Sequence, residues 1–193
     1  MNKGFPKMWL AVLALFPVAA MAHTVVGASS GFAAGFAHPL GGLDHVLAMF
    51  AVGLWAAQQG GRALWLVPVS FVVMMLLGGV LGIAHVYLPM EEQGILASVL
   101  VLGVLIATAQ RLPASAGAIL VAVFAVFHGH AHGSELPLSD AGMSYAAGFI
   151  LATILLHSVG LGLALGLKQL NATRLLRIAG GAIAMSGLYM ALA

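Results

Sequence analysis

Cysteine is absent and charge is scarce: in 193 residues there are 7 Lys and Arg and 5 Asp and Glu, 6% of the chain. Soluble globular proteins carry roughly a quarter of their residues as charge, so the composition excludes an ordinary soluble domain and indicates a membrane protein. The lack of cysteine rules out disulfides, thiolate metal ligands, thiol nucleophiles and iron–sulfur clusters. Any transition-metal site must therefore use imidazole, carboxylate, backbone or methionine. The net charge is only +2, and two of the basic residues, Lys3 and Lys7, sit at the extreme N-terminus, so the pI near 9.3 does not imply a nucleic-acid partner. No G-x-x-x-x-G-K-[ST] loop is present for ATP hydrolysis, nor an H-E-x-x-H metalloprotease motif.

What fills the chain is apolar: 62% of its residues are hydrophobic and 25 are glycine. Lys3 and Lys7, the apolar run from Met8 to Ala20 and the A-x-A site Ala20-Met21-Ala22 read as a cleaved signal peptide over 1–22, leaving 23–193 as one transmembrane domain. The alternative is an uncleaved first helix. Cleavage would expose His23 as the mature N-terminus, with an amine and an imidazole able to chelate a metal together. Beyond it, apolar stretches over 31–57, 64–86, 93–110, 113–131, 141–167 and 174–193 each approach the length needed to cross the hydrocarbon core. The expected fold is an all-α membrane protein of about six transmembrane helices. Gly78/Gly82 and Gly162/Gly166 suit close helix packing in lipid, although a glycine-rich chain also produces such pairs by chance.

Short connectors set the orientation. With the mature N-terminus outside, Arg62, Arg111, Lys168, Arg174 and Arg177 all fall on the cytoplasmic side and Glu91, Glu92, Glu135 and Asp140 outside. The positive-inside rule then places the C-terminus outside as well, in a multi-pass protein of the bacterial cytoplasmic (inner) membrane.

Two stretches carry chemistry. In HPLGGLDH, residues 38–45, Asp44 is the one acidic residue well inside an expected span, and a buried carboxylate there needs a partner or a cation. Pro39, Gly41 and Gly42 should break this first helix, which lipid tolerates only where the freed backbone lines protein or a water-filled cavity. On an unbroken helix His38 and His45 would lie about 20° apart, with Asp44 about 120° from His38. Asp44 then either orients His45 from behind or swings inward at the Gly-Gly break to bind directly. Met49 could add a soft ligand, although a methionine at helical spacing is usually core. In FHGHAHGSE, residues 127–135, His128, His132 and Glu135 share a helical face, while His130 points the other way. Both stretches fall toward the outer ends of their helices. His85 and His157 stand alone, each more readily a packing residue than a ligand. The bland reading of the cluster is a solvated, pH-sensitive loop.

The signal-like N-terminus, HPLGGLDHVLAM at 38–49 and FHGHAHGSELP at 127–137 together resemble the HupE/UreJ family, membrane proteins associated with hydrogenase and urease gene clusters. The resemblance covers essentially the whole mature chain. It implies nickel transport, with His38, Asp44, His45, His128, His132 and Glu135 expected at the metal; His23, His130 and His157 are weaker candidates. A looser likeness links H-x5-D-H to the nickel/cobalt permeases as an analogy in chemistry.

Imidazole and carboxylate ligands suit Ni, Co, Zn and Cu alike, so the residues alone do not choose the metal. The expectation is a secondary importer with no permanently bound cofactor and with Ni2+, or alternatively Co2+, as its cargo. Binding is expected to weaken as pH drops through roughly 6.5, since imidazole must be neutral to ligate. The expected partners are the divalent ion, membrane lipid and, indirectly, hydrogenase or urease maturation; a homo-oligomer is left open. The rivals are a metal-binding accessory protein that moves nothing, an intramembrane metalloenzyme and a haem-binding subunit, the last of which would declare itself by a visible absorption band.

Overall fold

The computed structural model describes residues 31–136 and 140–193. The expected signal peptide and His23 lie outside the described residues. Seven helices follow in order: α1 Phe32–Gly41, α2 Leu43–Gln59, α3 Ala63–Ile83, α4 Glu91–Thr108, α5 Ala114–Ser134, α6 Asp140–Gln169 and α7 Thr173–Leu192. No strand occurs among the described residues. Five of these helices are each long and apolar enough to cross a membrane, and α1 with α2 makes a sixth span if the bent pair is counted as one.

That first span departs from a merely kinked helix. The chain stays helical through Pro39 and breaks at Gly42, whose backbone is extended (φ −105°, ψ 121°), so that α1 and α2 meet at 88°. His38 and His45 therefore belong to different helices, and the angle expected on one continuous helix does not apply. α2 ends where Gly60 and Gly61 take φ of 76° and 54°, a left-handed backbone that glycine adopts without steric cost.

The core forms around α2. Every residue from Ala51 to Ala57 is buried, with Met49, Leu54 and Trp55 among the largest fully buried side chains. A helix apolar on all sides belongs inside a bundle, and α2 touches each of the other six. Around it α3 pairs with α5, α4 pairs with α7, and α6 packs on both α1 and α2. The outer faces keep apolar side chains such as Leu76, Leu77 and Val80 on α3 and Ile154, Leu155 and Val159 on α6, as contact with lipid tails requires.

Glycine lets backbones meet where the site is built. A Cβ on Gly129 would run into the Met75 carbonyl, one on Gly133 into Gly79, and one on Gly82 into the His130 carbonyl, so α3 and α5 touch backbone to backbone. The Gly78/Gly82 pair thus forms a real seam. A Cβ on Gly162 or Gly166 would meet nothing within 4 Å outside its own stretch of helix among the described residues.

The two ends of the bundle differ in chemistry. At one, Lys168 Nζ donates to the carbonyls of Ala57 (2.6 Å) and Gln58 (3.3 Å), and Arg177 Nε to that of Ala107 (2.9 Å). Cations there complement the negative C-terminal ends of α2 and α4. At the other end lie the first turn of α4, with Glu91 and Glu92, the last turn of α5 and the α1–α2 break.

Candidate metal centre

The first turn of α2 fixes one histidine. Asp44 Oδ1 accepts the His45 backbone N–H at 2.8 Å and lies 2.7 Å from His45 Nδ1. A neutral His45 that donates from Nδ1 keeps its lone pair on Nε2, which is buried and has no hydrogen-bond partner among the described residues. The geometry favours the orienting role for Asp44, a carboxylate on the far nitrogen of the imidazole. Gly42 makes room for this arrangement, because a Cβ there would sit 2.7 Å from Asp44 Oδ1 and 3.0 Å from His45 Nδ1.

The last turns of α5 bring the second stretch against the first. His128 is fully buried, and its Nδ1 lies 2.9 Å from the Phe124 carbonyl, an acceptor only. Nδ1 therefore donates, which leaves the Nε2 lone pair free and without a partner among the described residues. His132, one turn on, has neither nitrogen hydrogen-bonded and stands between the two arms of the broken span, its ring centroid 4.6 Å from that of His38 and 4.5 Å from that of His45. Phe149 of α6 backs it at 4.4 Å, and Tyr145 flanks His38 at 5.7 Å.

Glu135, just past α5, places Oε2 4.0 Å from His38 Nε2. His38, His132 and Glu135 each offer one ligand atom, all within 4.8 Å of one another. That is somewhat wider than bonds of about 2.0–2.2 Å to a first-row cation require. Glu135 is exposed and has the freedom to close in.

From this mouth the imidazoles form a line: His38, His132, His45, then His128 with its centroid 5.2 Å from that of His45. Phe71 of α3 follows, 5.5 Å from His128 and 5.0 Å from His157 of α6. A buried polar atom without a partner costs about 1–3 kcal/mol. Successive histidines bear that cost, which packing alone does not explain.

All six residues singled out from the two stretches come together here. His130 does not join them: it faces away, as its place on the helix anticipates, and is held by Glu91 and by the Val86 carbonyl at 2.7 Å from Nε2. His85 is exposed in the α3–α4 connector at φ 52°. The aromatic wall of Phe71, Tyr145 and Phe149 had no signal in the sequence, since an aromatic residue in an apolar helix looks like any other core residue.

The family model of the HupE / UreJ protein matches residues 10–190. Protein HupE of Rhizobium leguminosarum bv. viciae is 47% identical over 177 residues, a stretch covering 91% of this chain and 92% of that one. No solved structure matches. With a match that runs through both histidine stretches and nearly every helix, the chain belongs to the HupE/UreJ family.

Proposed function

We propose that the protein is a secondary permease that carries a divalent first-row cation, nickel by its family's association with hydrogenase and urease accessory function, inward across the bacterial cytoplasmic membrane. The observation that carries this reading is the line of imidazoles from a partly exposed mouth at His38 and Glu135, through His132 and His45, to the fully buried His128. His45 and His128 each keep Nε2, and His132 both ring nitrogens, free of hydrogen bonds among the described residues. A storage or structural site needs one cage of ligands. One partial cage at the mouth, followed by neighbouring imidazoles, suits an ion handed on from one to the next.

In the orientation the positive-inside rule selects, the histidine end faces outside and the end with Lys168 and Arg177 faces the cytoplasm. Glu135 and His38 then collect the ion, His132 takes it from them, and His45, oriented by Asp44, passes it to His128. No nucleotide is required. An inside-negative potential favours inward movement of a dication by about 4.6 kcal/mol per 100 mV, roughly three decades of concentration. Cobalt shares nickel's ligand preferences closely enough to compete for the same path.

The test is nickel uptake into proteoliposomes containing the purified protein. Uptake that rises with an imposed inside-negative potential is the expected result. Nickel that binds the protein yet does not enter, at any potential, would replace the permease with an accessory metal-binding role.

A further inference from the structure

Deeper than the line just described lies a group of side chains that it does not use. His157 on α6 is 3% exposed, and neither of its ring nitrogens has a hydrogen-bond partner among the described residues. A histidine kept for packing ordinarily satisfies at least its N–H.

One turn earlier on α6, Thr153 is fully buried and its hydroxyl is 2.9 Å from the Phe149 carbonyl. The same oxygen lies 3.4 Å from Met49 Sδ on α2 and 3.8 Å from Met75 Sδ on α3. A hydroxyl has one proton, and here it goes to the carbonyl a turn back. Both sulfurs therefore keep their lone pairs. Side chains on a helix lean toward its N-terminus, which carries the His157 ring toward the Thr153 turn and the two thioethers. Gly53, one turn beyond Met49, holds α2 against α6 at this level, since a Cβ there would run into the His157 carbonyl. Phe71, one turn from Met75, meets the His157 ring edge-on at 89° and touches His128 as well.

We propose that His157, Met49 and Met75 form a second, inner cation site of mixed imidazole and thioether ligation, entered past Phe71 from His128. This inference rests on the permease reading of the outer line and assigns the inner site a task of its own, selection. A carboxylate at the mouth does not reject Mg2+ or Ca2+, which are oxygen-loving cations. The inner site offers them little, because against one neutral hydroxyl oxygen it sets an imidazole and two thioethers, which suit hard cations poorly. A borderline cation such as Ni2+ exchanges water for nitrogen and sulfur more readily. The thioethers are neutral, so they hold a dication weakly enough to let it leave toward the cytoplasm.

The absence of cysteine makes the test unambiguous: any sulfur bound to metal must be a methionine's. Nickel K-edge X-ray absorption on the full-length protein, loaded with two ions per chain, should show imidazole nitrogen together with sulfur. In the near-isosteric Met49→Leu/Met75→Leu variant the sulfur contribution should vanish while the nitrogen contribution, which reports a folded protein with an intact outer line, remains. His157→Gln should lose the sulfur too, and it decides the matter if the methionine variant does not fold. A wild type without sulfur scattering, or sulfur that survives in the methionine variant, overturns the inner site. Potential-driven nickel uptake on the same preparations separates the two proposals. Uptake by a wild type lacking metal–sulfur scattering removes the inner site and keeps the permease, whereas sulfur scattering without uptake keeps the inner site and removes the permease.

Discussion

Asp44 and His45 show how one hydrogen bond sets the chemistry of a ligand. The carboxylate engages Nδ1 of the imidazole at 2.7 Å and so leaves the lone pair to Nε2, on a ring that neighbours those of His132 and His128. Removing such an orienting partner weakens metal affinity by about 10- to 100-fold. Asp44→Ala should therefore lose nickel affinity on that scale in calorimetric titration, while Asp44→Asn, whose amide oxygen still accepts from Nδ1, should lose less. Equal affinities in wild type and Asp44→Ala would show that the carboxylate has no part in the site. The sequence allowed either place for Asp44, behind His45 or in the metal's own shell, because the choice turns on the backbone angles at Gly42. For Phe71 it offered nothing, since only contact with His128 and His157 distinguishes that ring from the other aromatics in the core.

Among the elements, the broken span and the α3–α5 seam do most to place the site. The spans expected from apolar run length agree with the observed helices to within a few residues at most ends, because roughly 20 apolar residues are the physical requirement for crossing the bilayer. The break itself was legible in Pro39 and the Gly41-Gly42 pair, but its 88° angle was not, since that depends on what α1 finds to pack on. Here that is α6, where a Cβ on Gly35 would meet the Tyr145 carbonyl and one on Gly148 the Phe32 carbonyl. Nor did spacing reveal which glycine pair forms a seam: Gly78/Gly82 is buried against α5, whereas Gly162/Gly166 faces open space. The difference is testable. Gly129→Ala forces a methyl into the Met75 carbonyl and should destabilise the folded protein by about 1–3 kcal/mol, the usual range for overpacking. Gly162→Ala meets nothing and should be neutral or stabilising by up to about 1 kcal/mol through helix propensity. Thermal unfolding in detergent compares the two, and equal midpoints would mean that α3 and α5 are not in backbone contact at Gly129.

At the scale of the whole molecule, the described residues keep their Lys and Arg at one end of the bundle and, apart from Asp44 beside His45, their carboxylates at the other, with the unpartnered imidazoles running inward from there. A bundle whose purpose was only to be stable would fill this space with leucine. This one places α2, buried all round from Ala51 to Ala57, at the centre and brings His45 on it against α5 and Met49 against α6. His132 is the meeting point, within 4.6 Å, centroid to centroid, of both His38 on α1 and His45 on α2. If the imidazole line is the path of the ion, no other single side chain should matter more. The direct measurement is initial nickel flux into proteoliposomes under a fixed inside-negative potential, comparing wild type, His132→Ala and His85→Ala, the last an exposed histidine away from the line. Wild-type flux is expected from His85→Ala and a loss of at least about tenfold in His132→Ala, the smaller end of the cost of damaging a metal site. His132→Ala carrying nickel at the wild-type rate would contradict that path, since the ion would then be crossing by a route that the histidines do not make.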